Sequence, residues 1–331
     1  MNIISSIPQC VWMIGISGSG KSETAKNIAQ DKGYTILSSD NIREELYGDP
    51  NIQGDPQKVF GELHNRAIHL LKNGLSIIYD ATNLSLKNRI RFFNQLKDLN
   101  LKVEHHAIVM SKSVEECIKD NNKRDRVVPE HIIKKQVKQF NMPFFEEGFK
   151  TITITGWKNF DNVTNDDDRY GSVSIIGQTE ILMKMDKFNQ NNPHHELTLG
   201  DHCHKVSEIV KEFSDDIALY TASLFHDVGK LYTEEKDKKG ISHYYGHAEV
   251  GTYYLLQNLD ALNGLGMRTK DIIKTLFYCN YHMRPFDWQN NQIKEKYRKI
   301  FGKENYNNLW LLHKADLRGC KKDDQNVSNV E

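Results

Sequence analysis

GISGSGKS, at residues 15–22, is the stretch that decides the fold of the first half of the chain. An apolar run at residues 11–16 leads into it, and a helical pattern that includes Thr24, Ile28 and Ala29 follows. Glycines at this spacing let successive backbone N–H groups curl around phosphate oxygens at a helix N-terminus, where the helix dipole also favours anions. The order of strand, glycine loop and helix therefore predicts a binding site for a nucleoside triphosphate.

The residues of this loop have distinct expected roles in binding ATP and Mg²⁺. The Lys21 ammonium is expected to neutralise the β- and γ-phosphates, and the Ser22 hydroxyl is expected to ligate Mg²⁺. The alternative is an ordinary glycine-rich turn, which the flanking strand and helix disfavour. The predicted nucleotide-binding residues are Gly15, Gly18, Ser19, Gly20, Lys21 and Ser22.

The wider pattern predicts two domains of different class. Further strands are predicted at residues 34–37, 75–79 and 103–109, separated by segments with helical periodicity. This alternation is typical of a parallel sheet with helices on both faces, and it predicts an α/β domain at residues 1–155. Residues 156–192 lose the alternation and are interpreted as a connector. Apolar stripes at helical spacing then predict an all-α domain at residues 193–331.

The composition limits the class of protein. The chain has 331 residues, enough for two domains, and its 38% apolar and 27% charged residues are typical of a globular protein. The 44 basic residues balance 44 acidic ones, so no global positive field draws the chain to nucleic acid or to an anionic membrane. The five isolated cysteines disfavour disulfides, and no segment reaches about 18 consecutive apolar residues. We therefore expect a cytoplasmic protein with no membrane partner.

Acidic side chains follow two of the predicted strands. Asp40 lies in the stretch SSDNIR at residues 38–43, and Asp80 lies in YDATN at residues 79–83. Because open α/β sheets bind ligands at the carboxyl ends of their strands, both carboxylates are expected to face the nucleotide. The alternative for Asp40 is that it only caps the helix that begins beside it.

Several of these elements together resemble the polynucleotide 5′-kinase branch of the P-loop kinases. They are the glycine loop, the Asp40-x-x-Arg43 element, DATNL at residues 80–84 with Arg89 downstream, and RDRVVP at residues 124–129 before EEGF at residues 146–149. The resemblance implies that Asp40 is the general base for a 5′-hydroxyl and that Arg43 holds a phosphate of the acceptor strand. Phosphoryl transfer mainly needs an oriented nucleophile, a neutralised γ-phosphate and a nearby base, which these residues would supply.

The same resemblance implies a lid and further contacts. The lid would bring Arg124 and Arg126 over the β- and γ-phosphates as planar, charged donors. Which of the two contacts ATP is left open, and a solvated basic helix end is the alternative. No separate acidic Walker B strand is evident, so Mg²⁺ is expected to rest mainly on Ser22 and ATP, with Asp40 or Asp80 acting through water. The substrate-binding residues implied in this domain are Arg43, Asp80, Thr82, Asn83 and Arg89.

The second half of the chain concentrates groups that bind metals. Nine of the fourteen histidines lie in residues 194–331, and His226-Asp227 closes an apolar helical segment. Imidazole and carboxylate groups suit manganese, iron, magnesium or zinc. His202 falls on the apolar stripe of its helix, whereas His204 lies about 200° round the helix from it. The pattern thus selects His202 as the inward candidate.

A carboxylate near the end of the chain also falls on a core-facing stripe. Asp316 continues the stripe of Leu309 and Leu312, where an acid is costly unless it has a cation or a hydrogen-bonding partner. His313 shares that face and is one candidate partner. The alternative for the whole set is a group of buried polar residues that only satisfy one another.

HDVGK at residues 226–230, YGHAE at 245–249 and YHMRP at 281–285, with His202 and Asp316, resemble the HD phosphohydrolase superfamily, especially HD domains attached to RNA-end enzymes. The resemblance implies a divalent transition metal such as Mn²⁺, which would lower the pKa of a bound water for attack on phosphorus. Tyr281 stands where relatives often have the first of two histidines, which leaves a second metal open. The implied roles are first-metal ligands for His202, His226, Asp227 and Asp316, binding of a second metal or the substrate phosphate for His247 and His282, and phosphate neutralisation for Lys230.

Taken together, the two resemblances imply an enzyme that heals nucleic-acid ends. One part would phosphorylate a 5′-hydroxyl end, and the other would remove a 3′-phosphate or open a 2′,3′-cyclic phosphate. The expected partners are nucleic-acid ends, with RNA favoured over DNA, and a ligase that acts downstream. The alternatives are a small-molecule or nucleoside kinase fused to an HD nucleotidase, and a non-catalytic regulator that uses ATP as a switch.

Overall fold

The computed structural model describes residues 7–49, 52, 54–124, 126–170, 175–192, 196–262 and 266–320. The chain divides into two compact units, residues 1–165 and residues 166–331. The boundary between the units falls inside residues 156–192, and the interpretation of that segment as a connector stays a prediction. Residue 193, where the all-α domain is expected to begin, lies outside the described residues.

Backbone pairing explains why that segment belongs to both units. Val163 and Ile152 exchange backbone hydrogen bonds of 2.9 and 3.0 Å, which ties the chain as far as residue 163 to the last strand of the first unit. In the second unit the Thr269 amide donates to the Arg169 carbonyl at 2.8 Å. Neither pairing leaves a local sequence signal, because each joins residues far apart in the chain.

The first unit is built on a five-stranded parallel sheet with the strand order β2-β3-β1-β4-β5. The central strand β1 leads directly into the glycine loop, at the carboxyl edge where such sheets bind ligands. The predicted strands are confirmed, with ends shifted by a few residues, but β5 is an addition. Three polar positions among its six residues weaken its apolar signal. The strands are β1 Gln9–Ile14, β2 Thr35–Ser38, β3 Ile77–Asp80, β4 Glu104–Val109 and β5 Phe149–Ile154.

Helices cover both faces of this sheet, as predicted. Alternate side chains of β1 point to opposite faces. Met13 packs on one face with Ala25 of α1, whereas Trp12 on the other face stacks on Tyr79 and meets Phe92 of α4, with ring centroids 4.7 and 5.5 Å apart. The helices are α1 Lys21–Lys32, α2 Ser39–Tyr47, α3 Pro56–Lys72, α4 Leu86–Asp98, α5 Val114–Asn121 and α6 Glu130–Val137.

The second unit is mostly helical, and a two-stranded antiparallel hairpin qualifies the all-α prediction. The hairpin strands are β6 Glu235–Lys236 and β7 Ser242–His243. Strands of two residues are too short to show the alternation on which strand prediction depends. The helices are α7 Ile175–Asp186, α8 Leu199–Phe213, α9 Ile217–Phe225, α10 Lys230–Thr233, α11 His247–Gln257, α12 Leu259–Leu262, α13 Thr269–Tyr281, α14 Asn291–Phe301 and α15 Lys303–Gly319.

Among the described residues, no helix combines the length and the apolar character that crossing a membrane requires.

Candidate active sites

The glycine loop lies between β1 and α1 in a conformation that only small residues permit. Gly18 has a φ of +83°, and a Cβ added there would lie 2.0 Å from the backbone oxygen of Cys117. The Gly15 amide donates to the Thr82 carbonyl at 3.1 Å, which ties the loop to the end of β3. The Lys21 ammonium donates to the Ile16 carbonyl at 2.7 Å, inside the curl of the loop. The loop thus holds a cation inside a ring of backbone groups.

Burial makes the charge of Lys21 costly in this structure. Removal from water lowers its pKa from the ordinary value to about 8, and the neighbouring Asp80 carboxylate only partly opposes that shift. An anion placed beside the ammonium would stabilise the charged form. The loop therefore has the properties of a phosphate site, because its buried ammonium group would be stabilised by an anionic ligand.

Asp80 ends β3 beside β1, and the Ser22 hydroxyl donates a hydrogen bond to it. Burial raises the pKa of this carboxyl, and the Ser22 hydrogen bond and the Lys21 charge oppose that rise. A serine hydroxyl and a carboxylate at the mouth of a glycine loop are hard oxygen donors of the kind that bind Mg²⁺. The sequence alone does not show that Asp80 meets Ser22, because the neighbour of β1 in the sheet is set by topology.

Asp40 lies in the first turn of α2, and it is not the cap of that helix. The cap is Ser38, whose hydroxyl accepts a hydrogen bond of 3.2 Å from the Asp40 amide. The alternative interpretation of Asp40 as a mere helix cap is therefore wrong. The carboxylate is left to interact with other side chains.

Three guanidinium groups surround the Asp40 carboxylate. Arg43 donates to its Oδ1 at 2.9 Å, Arg126 pairs with the same oxygen, and Arg124 lies 3.6 Å from its Oδ2. Both candidate lid arginines therefore reach the rim of the glycine loop. Among the described residues, which leave out Asp125, Lys21 and the three arginines give the rim four cationic side chains against the two carboxylates of Asp40 and Asp80. This excess of positive charge suits a polyphosphate.

A glutamine of α6 fastens the lid segment to the glycine loop. The Ser17 amide donates to Gln136 Oε1 at 2.8 Å, and Gln136 Nε2 donates to the Ser17 hydroxyl at 3.1 Å. Between α5 and α6, Asn121 pairs with both backbone groups of Val128, at 2.8 and 3.0 Å. These contacts hold the arginine-bearing loop over the phosphate site. Neither Gln136 nor Asn121 leaves a sequence signal for these contacts, because glutamine and asparagine have no distinctive spacing.

Two residues expected to bind substrate instead support the loop after β3. The Arg89 side chain has no exposed surface, and it pairs with the equally buried Glu147, with an Nη2–Oε2 distance of 2.9 Å. It also donates to the Asn83 and Leu84 carbonyls. The side-chain Nδ2 of Asn83 donates to the Met13 and Tyr79 carbonyls at 2.8 and 3.1 Å. The assignment of Arg89 to substrate is therefore wrong, because a fully buried guanidinium cannot reach one.

Replacing Arg89 with alanine is expected to lower the free energy of unfolding by about 3–5 kcal/mol, because the Glu147 carboxylate would remain buried without its partner. Thermal unfolding of the two chains measures the effect. The double variant R89M/E147M is expected to regain most of the loss, since no buried charge is left unpaired. An unchanged melting temperature in R89A would contradict the assignment of a structural role.

A second set of side chains converges inside the helical unit. His202 of α8, His226 and Asp227 directly after α9, and Asp316 of α15 bring four ligand atoms within 4.8 Å of one another. His202 Nε2 lies 3.1 Å from Asp316 Oδ1 and 3.6 Å from Asp227 Oδ2. The four residues expected to hold the first metal are therefore brought together.

His247 and His282 meet the other oxygen of the same aspartate. Their Nε2 atoms lie 3.1 and 3.5 Å from Asp227 Oδ1, and 3.1 Å from each other. Asp227 therefore belongs to both clusters, one on each carboxylate oxygen. Tyr281, the residue before His282, is buried in the core, and the second cluster consists of Asp227, His247 and His282.

The orientation of the imidazole rings tests whether a metal ion fits. His226, His247 and His282 direct Nδ1 at backbone carbonyls of Ser223, Tyr244 and Cys279, at 2.8, 2.8 and 2.7 Å. A neutral ring that donates from Nδ1 carries a lone pair on Nε2. These Nε2 atoms face one another and two carboxylates, an arrangement of electron pairs that either protons or a metal ion would stabilise. The residues present thus fit a divalent metal.

Lys230 is the charged neighbour of these clusters. Its ammonium lies 2.6 Å from Asp227 Oδ2 and donates to Gln190 Oε1 at 2.8 Å. Burial disfavours its charge, but the Asp227 carboxylate outweighs burial and raises the pKa of Lys230. For His226 burial likewise disfavours the charged ring, but Asp227, Cys203 and Asp316 together outweigh burial and hold the His226 pKa well above the ordinary value, so a proton competes with a metal ion for its Nε2. Asp227 is thus the electrostatic centre of the site.

The burial of His202, His204 and His313 can be compared with the prediction from the helical pattern. His202 is buried and His204 is exposed, which confirms the choice between them. His313 is also buried, but its ring stacks on Trp310 and meets Phe286, with centroids 5.5 and 4.3 Å away. Packing among aromatic rings, and not pairing with Asp316, therefore positions His313.

Close backbone contact between Gly229 and α11 brings His247 to Asp227. A Cβ added to Gly229 would lie 1.9 Å from the His247 carbonyl oxygen and 2.6 Å from the Gly251 amide. The glycine of HDVGK therefore allows α11 to approach close enough to deliver His247. Gln190 and Tyr244 also support the site and carry no local sequence signal.

The comparisons with known proteins agree with this division. Residues 10–144 match the family model for an AAA domain, and residues 199–316 match that for an HD domain. A shikimate kinase 2 of Oryza sativa is 32% identical over 76 residues, which are 23% of each chain. A protein of Acanthamoeba polyphaga mimivirus, named as a candidate bifunctional polynucleotide phosphatase/kinase, is 26% identical over 171 residues.

The aligned regions cover only part of these relatives. In the viral protein they span 49% of this chain and 36% of the relative, so this chain matches about a quarter to a third of the curated relatives' lengths. A solved Pnkp1/Rnl/Hen1 RNA repair complex is 22% identical with a TM-score of 0.37, over 53% of this chain and 55% of the other. The fold, the motifs and the family matches agree: the chain joins a P-loop kinase-like AAA domain to an HD domain.

Proposed function

We propose that this chain heals broken ends of nucleic acid strands, with a 5′-hydroxyl kinase in the first unit and a phosphohydrolase for 3′-phosphate or 2′,3′-cyclic phosphate ends in the second. One observation carries the proposal. A single chain holds the Asp40 carboxylate among guanidinium groups at a glycine loop, and also a buried histidine and aspartate cluster that suits metal. Both chemistries act on phosphate esters, and end healing uses both on one substrate.

In the kinase unit, the residues divide into a phosphate side and an acceptor side. We assign the glycine loop, Lys21 and the two lid arginines to the triphosphate, and Ser22 with Asp80 to Mg²⁺. Mg²⁺ would neutralise charge on the β- and γ-phosphates. Asp40 would accept the proton of the attacking hydroxyl, and Arg43, paired with Asp40, would hold a phosphate of the acceptor strand. Thr82, whose carbonyl anchors the loop, remains a candidate substrate contact.

In the helical unit, Asp227 and the imidazole nitrogens around it would hold divalent metal. A bound metal would supply a water of lowered pKa for attack on phosphorus. The backbone carbonyls that accept from each Nδ1 fix the rings with Nε2 inward. Lys230, whose ammonium lies beside Asp227, would neutralise the substrate phosphate as it approaches. His247 and His282 would bind either a second metal or that phosphate.

Two observations support a nucleic-acid substrate: the positive charge at the rim of the glycine loop and the name of the viral relative. Within the part of the chain that the structure describes, the rim of the glycine loop carries more positive than negative side chains, although the whole chain is neutral. The viral relative bears the name of a polynucleotide enzyme that combines both activities. The neutral overall charge favours the second candidate, a kinase for nucleosides or other small molecules joined to an HD nucleotidase.

The test supplies the full-length protein with γ-labelled ATP and either a 5′-hydroxyl oligonucleotide or free nucleosides, in RNA and DNA forms. Label on the oligonucleotide is the expected result. Label on free nucleosides alone would overturn the kinase half and favour the second candidate. In parallel, release of phosphate from a 3′-phosphorylated or 2′,3′-cyclic oligonucleotide is measured with Mn²⁺, Mg²⁺, Ni²⁺ or no metal. Absence of release with every metal would overturn the other half.

A further inference from the structure

The metal clusters of the helical unit open to solvent on one side. Among the six ligand side chains, Asp316 is 14% exposed and His247 is 11% exposed, whereas the others are at most 4% exposed. A phosphate must therefore enter beside Asp316 and His247. The rest of a substrate molecule, beyond its phosphate, must therefore lie against the surface next to Asp316.

An aromatic surface leads from Asp316 along the last helix. Tyr306, Trp310, His313 and Asp316 follow one another in α15 at spacings of four, three and three residues, so they share one face. Trp310 stacks on His313 with an interplanar angle of 29°. The ring of Phe286 lies against His313 with centroids 4.3 Å apart, and 46% of Phe286 is exposed.

Basic side chains lie beside these rings. The Lys294 ammonium of α14 lies 5.6 Å from the centroid of the Trp310 ring. Arg298 follows one turn later on the same side of α14. Packing alone accounts for Trp288, which is buried beneath Trp310. It does not account for the exposed ring of Phe286 at the entrance to a metal site.

We propose that Phe286, Trp310, Lys294 and Arg298 form an aromatic track that binds the single strand whose terminal phosphate enters the metal site. The inference rests on the proposed function and adds to it the requirement for a strand of several nucleotides. Bases stack on aromatic rings whatever their sequence, and cations beside the rings pair with the backbone phosphates. The phosphohydrolase unit thus prefers polynucleotide ends to free nucleotides.

The experiment compares nucleoside 3′-phosphate with 3′-phosphorylated single-stranded RNA of two, four and eight nucleotides, using the full-length protein and Mn²⁺. For the wild-type chain we expect KM to fall as the strand lengthens. Phe286→Ala is expected to raise KM for the octamer by about 5- to 100-fold, the effect of losing one base stack, with the smallest change for the nucleoside 3′-phosphate. Phe286→Tyr, which keeps an aromatic ring, is expected to restore the preference for the octamer.

The matched control is Phe213→Ala, since Phe213 is another exposed phenylalanine, at the opposite end of α8 from His202. A labelled octamer that carries phosphate at both ends gives a second readout by fluorescence anisotropy, which needs no hydrolysis. Equal KM values for all lengths, or equal octamer binding by the Phe286→Ala and Phe213→Ala chains, would overturn the track. Failure to release phosphate from any substrate would instead overturn the proposed function, and the binding readout would still decide the track.

Discussion

Replacing Asp40 with asparagine is expected to lower kinase turnover by about 10²- to 10⁴-fold, the usual contribution of a general base. Asparagine keeps the shape of the side chain but cannot accept the proton of the attacking hydroxyl. The three surrounding arginines also lose their shared counter-charge. Because Lys21 and the glycine loop are unchanged, the affinity for ATP is expected to stay within a few-fold of the wild-type value.

The fold is expected to survive this change. Ser38, not Asp40, caps α2, so the variant keeps the helix cap. It loses the partly exposed ion pairs of Asp40 with the three arginines and its interaction with the helix dipole, which contributes about 0.3–1 kcal/mol. A normal melting temperature would therefore separate a chemical defect from an unfolded domain. Asp120→Asn is the matched control, because Asp120 pairs with Lys112 and Lys123 on the same unit. It is expected to retain full turnover.

The measurement is transfer of labelled phosphate to a 5′-hydroxyl oligonucleotide under single-turnover conditions, with ATP binding followed separately. Retention of turnover within tenfold by the Asp40→Asn chain would contradict the assignment of the base. Loss of ATP binding without loss of turnover at saturating ATP would instead place Asp40 on the phosphate side of the site.

Much of this molecule could be predicted from short-range sequence pattern. The glycine loop is one continuous segment whose chemistry depends on its own residues, and the choice of His202 over His204 needs only the geometry of one helix. The order of strands and helices likewise follows from local periodicity. These predictions succeeded because no distant residue enters them.

The remaining features depend on contacts between distant residues. Arg89 pairs with Glu147, 58 positions later, a contact that the resemblance, which implies a substrate role for Arg89, does not reveal. Asp80 meets Ser22 only because β3 neighbours β1 in the sheet. The hairpin strands and β5 lack a clear alternating pattern of their own. In each case the deciding information is the topology of the sheet or the packing of helices.

Asp227 carries the second of the two largest expected effects, because its two oxygens serve both metal clusters. Its Oδ2 lies 3.5 Å from His226 Nε2 and 2.6 Å from the Lys230 ammonium, while its Oδ1 faces His247 and His282. Asp227→Asn removes the charge that holds these groups together. Release of phosphate is expected to fall by at least about 10³-fold, because water without a metal keeps a pKa far above neutrality.

Metal binding gives a readout that does not depend on activity. Mn²⁺ at about 100 times its dissociation constant should stabilise the wild-type chain by about 2.7 kcal/mol, which raises its melting temperature. The Asp227→Asn chain is expected to show little of this shift, while its kinase activity is retained. Asp201→Asn is the matched control, since Asp201 precedes His202 on α8 but is exposed.

The pairing of these two readouts decides between a metal site and a polar core. If Asp227 only satisfied its neighbours, asparagine would lower the melting temperature equally with and without Mn²⁺, because a structural defect is independent of the ion. If it holds metal, the two chains should differ most when Mn²⁺ is present. If none of Mn²⁺, Mg²⁺ and Ni²⁺ raised the melting temperature of the wild-type chain, this result would contradict the metal site. In that case a shared proton, and not a metal ion, would have to explain why the Nε2 atoms of His247 and His282 face each other.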